Sequence, residues 1–251
     1  MPLLSVEFLP LGVWAAAFVL VIARLSFIVF LMPGIGEQVI PARVRLVLIL
    51  ALAMALYSSG IEISVPFEPF SGYLLALITE VFIGFILGVS LRLVIWLLSI
   101  AGAVIAQSIG LAQFLGVALE HEAQTITANL LSMAGAVILL TANYHVEVFV
   151  ALIDLYAEVP VGLVSSLDQA FFIEGIYTAF GIAVSLAWPF VAVNLIYNIC
   201  LGFINKALPQ LMVAFVGAPF MVGAGMFLLA VSIVSFLMAW KAMVPDLVGW
   251  L

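Results

Sequence analysis

The apolar run from Phe70 to Ala106 is the strongest constraint on this chain. As one straight helix it would reach about 55 Å at ~1.5 Å per residue. A bilayer offers a hydrocarbon core of about 30 Å. The run must therefore bend, break into a hairpin or leave the bilayer. Its neighbours are also of uneven length. Phe8 to Met32 is interrupted only by Arg24 and stops at Pro33-Gly34-Ile35-Gly36, a strong helix terminator. Val44 to Tyr57 is short for a span of about 20 residues. Ile126–Ala142 and Val146–Val164 follow, then the overlong Ala170–Ile204 with Pro189 inside, then Leu211–Trp240. A plain bundle of spanning helices would give runs of similar length. This pattern predicts helices that are bent, paired and partly outside a bilayer. Irregular backbone at membrane depth is tolerated only when buried in protein or lining a water-filled cavity. The pattern thus points to a pore or transporter component.

Composition fixes the broad class. Of 251 residues, 67% are hydrophobic and 8% charged, against about 45–50% and about 25% in a soluble domain. The mean hydropathy is +1.42. The chain is therefore expected to be integral to a membrane or to a membrane-associated assembly. A net charge of −7 argues against nucleic acid as a partner, since phosphate binding needs basic clusters. One cysteine, Cys200, excludes an intrachain disulfide and reads as a small buried hydrophobe. No Lys or Arg precedes Arg24, and the first apolar run is too long for a signal peptide. The membrane segments are then expected to act as their own insertion signals. Arg43 and Arg45 mark one cytoplasmic loop and Lys206 a second, while the acidic connection holding Glu62 and Glu68 reads as external. Residues 1–251 read as a single domain, with no repeat of 20–50 residues and no linker.

Arg24, Glu80 and Arg92 lie inside apolar runs. Buried charges there cost several kcal/mol and mark either an ion or proton path or an inter-helix salt bridge. Glu80 and Arg92, twelve positions apart, share a helix face only loosely and do not touch unless the helix bends. Gly84 and Gly88 form a small-xxx-small pair that lets another helix approach closely. Glu120-His121-Glu122, and His145 with Glu147, lack the spacing of a zinc site and read as solvated loops. There is no Gly-x-Ser-x-Gly elbow, no GxGxxG and no P-loop. Neither enzyme chemistry nor a cofactor or metal is expected. Residues 108–125, SIGLAQFLGVALEHEAQT, join two apolar runs yet stay half apolar. With Gly110, Leu111, Phe114, Leu115 and Gly116 they read as a plug folded into a cavity, or as a re-entrant turn or helix start. Asn194, Tyr197 and Asn198 form a polar stripe, and Asn205-Lys206-Ala207-Leu208-Pro209-Gln210 then breaks the helix. That stripe is expected to face another subunit or a pore.

Three blocks together resemble the FliR/SctT family. The first is Arg24, Pro33-Gly34-Ile35-Gly36 and Ile40-Pro41-Ala42-Arg43-Val44-Arg45. The second runs from Glu80 through Gly84 and Gly88 to Arg92, Ala101-Gly102 and Gln107. The third comprises Asn194, Gly202, Asn205 to Gln210 and Val216-Gly217-Ala218-Pro219. The resemblance implies an all-α, membrane-type protein of inclined, kinked helical hairpins, part of a cone-shaped hetero-oligomeric export gate. That gate lies largely above the plane of the bacterial inner membrane, at the flagellar basal body. It further implies FliP- and FliQ-like partners, a first half (about 1–165) resembling FliP and a second half (about 166–251) resembling FliQ. An FlhB-like protein is expected at the cytoplasmic side, unfolded export substrates in the channel, and membrane lipid on part of the surface. On this reading Gly110 to Gly116 belong to the plug, and Arg24, Glu80 and Arg92 serve assembly. Asn194, Asn198, Asn205, Lys206, Pro209 and Gln210 form a subunit-interface motif. The sequence departs from the family pattern at Glu120-His121-Glu122-Ala123-Gln124, after the plug, and at Phe220-Met221-Val222, where a lysine is frequent. The alternatives are an injectisome export-gate subunit and a stand-alone secondary transporter.

Overall fold

A computed structural model of the chain describes residues 9–37, 40–58, 70–110, 120–158, 169–207 and 213–248. Among them are seven helices and no strand: α1 (Leu9–Leu31), α2 (Ala42–Ser58), α3 (Phe70–Ser108), α4 (Glu120–Thr141), α5 (Tyr144–Glu158), α6 (Gln169–Ala207) and α7 (Val213–Leu247). The all-α membrane class expected from the runs is what forms.

The long run becomes one continuous helix. α3 holds 39 residues, so the hairpin option is excluded. The physical reason is that the run contains no proline and that Gly84, Gly88 and Gly102 are placed where other helices press against it. At ~1.5 Å per residue α3 is nearly 60 Å long, so it must tilt steeply or extend past the hydrocarbon. α6, also 39 residues, continues through Pro189, and α7 continues through Pro219 and Pro245. Among the described residues four helical stretches are long and apolar enough to cross a membrane, Gly12–Leu31, Phe70–Ser108, Phe172–Ala207 and Gly217–Leu247, and the bent pair Ile126–Thr141 with Tyr144–Tyr156 would make a fifth if it is one span.

Chain reversals use left-handed backbone. Gly34, at φ 82°, turns the chain after α1, and the Gly36 amide donates to the Met32 carbonyl at 2.7 Å. Gly110, at φ 70°, closes α3 as its amide donates to the Gln107 carbonyl at 3.2 Å, the usual place for glycine at a helix C-terminus. Asn143, at φ 60°, separates α4 from α5, two short apolar helices bent by 67°. Its carbonyl accepts from the Val146 amide at 2.8 Å and so starts α5. Asparagine is one of the few residues that tolerates this conformation.

The chain forms two compact units. One contains α1, α2, α3 up to Arg92, the end of α4 from Leu139, α5, and α6 up to Glu174. Its core includes Leu20, Leu25, Ile28, Ile83, Val148 and Leu152. The other contains α3 from Leu93, α4 up to Ile138, α6 from Gly175, and α7. There the buried Trp240 indole donates to the Val94 carbonyl at 3.0 Å. A Cβ at Gly135 would stand 3.1 Å from the same indole, so a small residue there admits the ring.

Candidate functional site

Three of the charges embedded in apolar sequence fall in the first unit, and all three are paired. Arg24 on α1 meets Glu80 on α3 through two parallel bonds: Nε to Oε2 at 2.6 Å and Nη2 to Oε1 at 3.0 Å. Both side chains are fully buried. The guanidinium carbon also stands 4.3 Å from the centre of the Tyr156 ring on α5, a cation–π contact. One cation thus ties three helices together.

The glycines one and two turns beyond Glu80 make this approach possible. A Cβ at Gly84 would strike the Arg24 carbonyl and lie 2.9 Å from the Arg24 Cα. One at Gly88 would lie 2.7 Å from the Phe27 carbonyl oxygen and 2.9 Å from Leu31. Backbone atoms cannot swing aside, so only glycine allows α1 and α3 this close. The Tyr73 hydroxyl, two turns before Glu80, donates to the Ala16 carbonyl at 3.2 Å and extends the same contact.

Arg92 does not pair with Glu80. Twelve positions at 3.6 residues per turn leave the two about 120° apart around the helix. Arg92 instead holds Glu37, in the turn between α1 and α2, at 2.6 Å and 3.3 Å. The α1–α2 turn is thereby fastened to α3. Arg45 stacks over Phe30 at 4.8 Å and donates to the Ile40 carbonyl at 3.0 Å, bracing the same connection. Sequence reasoning missed Glu37 and Tyr156. Glu37 carried a signal, as the one acidic residue between Glu7 and Glu62. Nothing marked Tyr156.

The second region is the far end of α6. The Asn198 amide donates to the Asn194 carbonyl oxygen at 2.9 Å and to its side-chain oxygen at 2.8 Å. The two polar residues therefore satisfy each other along one helix. Tyr197, the third member of the stripe, packs on α7: a Cβ at Gly217 would strike its hydroxyl and lie 3.4 Å from Leu201. Asn205 and Lys206 are exposed in the last turn of α6, which runs on to Ala207. Pro209 and Gln210 lie outside the described residues. So do Leu111, Phe114, Leu115 and Gly116; of the expected plug only Gly110 is described.

Three sequence expectations are corrected. Cys200 is exposed, because it lies on a stretch of α6 that few other residues of the chain cover. Glu120 to Glu122 and His145 with Glu147 lie in the first turns of α4 and α5 and not in loops. An acidic residue at a helix N-terminus is favoured by the helix dipole, so such clusters start helices as readily as they fill loops. Among the described residues no group of three or more His, Cys, Asp or Glu could hold a metal. The arrangement offers helix locking and outward-facing surface.

Comparison with known proteins agrees with this architecture. Residues 15–247 match the model of the bacterial export proteins, family 1. The chain is 32% identical over 227 residues to the flagellar biosynthetic protein FliR of Caulobacter vibrioides, covering 88% of this chain and 90% of that protein. It is 30% identical over 213 residues to FliR of Aquifex aeolicus, covering 84% and 82%. It is 26% identical over 229 residues to FliR of Escherichia coli, covering 86% and 84%. With helices long and apolar enough to cross a membrane and a match over most of the length of these relatives, the chain belongs to the FliR family of bacterial export proteins.

Proposed function

We propose that this chain is a subunit of the flagellar type III export gate and forms, with FliP- and FliQ-like subunits, the channel for unfolded export substrates. The observation that carries the reading is the match to the Caulobacter FliR over nearly the full length of both proteins. The exposed apolar side chains support it. Ile196, Phe203, Phe220, Phe227 and Met238 are all at least 62% exposed in the isolated chain. Surface of this kind marks protein or membrane contacts. Sister subunits cover it on this reading, with lipid on the remainder, in a gate at the bacterial inner membrane beneath the flagellum. An FlhB-like protein meets its cytoplasmic side.

Within that gate, residues Gly110 to Gly116 act as the plug. The left-handed turn at Gly110 supports this, because it ends α3 abruptly and redirects the chain. Arg24, Glu80 and Arg92 hold the subunit in the shape its neighbours require. Asn194, Asn198, Asn205, Lys206, Pro209 and Gln210 form the subunit-interface motif. The first half of the chain plays the FliP-like part and the second half the FliQ-like part.

Co-purification from native membranes is the test. FliP- and FliQ-like chains are expected with the tagged protein. A stable homo-oligomer that transports solute without them overturns the reading. Deleting Gly110 to Gly116 is expected to leave the complex assembled but leaky to small ions in planar-bilayer recordings. An assembled deletion complex that stays ion-tight removes the plug assignment.

A further inference from the structure

α5 presents two different faces. Val148, Leu152, Leu155 and Tyr156 are buried on one. The other carries an apolar stripe, Val146, Val150 and Ile153, each about half exposed. Beside it runs a second stripe with Glu147 and Asp154, both exposed. The apolar stripe borders a groove between α2 and α5 of about 160 Å³, floored by Leu25 and walled by Leu52, Leu56 and Phe149.

No single solvent suits this surface. Hydrocarbon would cover the apolar stripe but would penalise two carboxylates. Water would solvate the carboxylates but leave the groove and its rims bare. The helix N-terminus accounts for Glu147. It does not account for Asp154, which lies in the second half of α5, where the dipole disfavours a negative charge. Among the described residues the ion pairs are Arg24–Glu80 and Arg92–Glu37, and Arg45 bonds Ile40. Glu147 and Asp154 are two helical turns apart, about 10 Å along the axis.

We infer that the α2–α5 groove docks one apolar helix of a sister subunit, carrying two basic residues seven positions apart that meet Glu147 and Asp154. The apolar side of that helix fills the groove, and its ammonium or guanidinium groups pair with the two carboxylates. The inference rests on the gate reading for the source of the helix.

The experiment places p-benzoylphenylalanine at position 150 of the full chain in its native membrane, with irradiation followed by peptide mapping. The expected product is a crosslink to an apolar helix with two Lys or Arg residues seven apart. Glu147→Lys with Asp154→Lys is expected to reduce that product about ten-fold or more, since like charges in an interface cost several kcal/mol. Glu147→Gln with Asp154→Asn is expected to give a smaller loss. Because all four changes lie on exposed positions, the subunit itself should still fold, and its thermal unfolding checks that. Charge reversal of the two mapped basic residues is expected to restore the crosslink in the Lys variant. Adducts with lipid alone, a captured helix without the basic pair, or a yield indifferent to charge reversal overturns the docking face. If FliP- and FliQ-like chains still co-purify in that case, the gate reading stands. If they are absent from the wild-type preparation, the gate reading falls, and the sister-subunit assignment with it.

Discussion

α3 and α6 have the same length, 39 residues each, and both are strongly apolar. Yet 61% of the apolar window of α3 is buried inside the chain, against 22% of that of α6. The glycines show the difference at atomic scale. A Cβ at Gly84, Gly88 or Gly102 of α3 would press on the backbone of another helix, while one at Gly181 or Gly202 of α6 would meet nothing within 4 Å. Their polar groups follow suit. Glu80 is fully buried and bonded across to α1, whereas Asn198 is exposed and bonded along its own helix. A long apolar helix therefore serves one of two purposes. In α3 it builds the interior of the chain; in α6 it supplies surface that something outside the chain must cover.

The largest effect that sharpens this contrast is expected at the ion pair. Glu80→Leu leaves the Arg24 guanidinium without its bidentate carboxylate in a fully buried place, and should cost about 3–5 kcal/mol. Membrane abundance and thermal unfolding of the purified complex measure it. The double variant Arg24→Met with Glu80→Met should recover most of the loss, because apolar replacement of both partners is often neutral. A double variant no better than the single would show that the pair does more than lock helices. If Glu80→Leu assembles at normal yield with altered conductance, the pair belongs to a conduction path.

Gly84→Ala should come next, at about 1–3 kcal/mol of overpacking, read from the same unfolding curves. Glu37→Ala opens the half-buried pair with Arg92 and should cost about 1 kcal/mol or less. Gly202→Ala is expected to change the stability of the chain by no more than about 0.5 kcal/mol, since the added methyl points into open space. If Gly202→Ala costs as much as Gly84→Ala in the isolated chain, the division between an inward and an outward helix fails. If it is silent in the isolated chain but lowers the yield of the complex, the outward face of α6 is an interface.

Much of this was legible in the sequence. The apolar runs fell within a few residues of α1, α2, α3 and α6, and neither Pro189 in α6 nor the lone charges Arg24, Glu80 and Arg92 ended a helix. Gly84 and Gly88 were readable as a close-packing pair from spacing alone. The break between α4 and α5 was visible as the gap from Asn143 to His145, but its 67° bend was not, since that depends on the backbone angle of Asn143. Partners were the least legible part. Arg24 and Glu80 are 56 residues apart in sequence and Arg92 and Glu37 are 55. Periodicity along one helix carries no information about which residue of another helix faces it.

By itself the sequence determined that this chain is helical, membrane-bound and a member of an export family, because composition, run length and ordered motifs are properties of the linear chain. The tertiary structure decided which charges meet, that the longest run stays one helix, and which of two long apolar helices turns inward. Those outcomes depend on how closely two backbones approach, and that distance is set by glycines and partners far away in sequence.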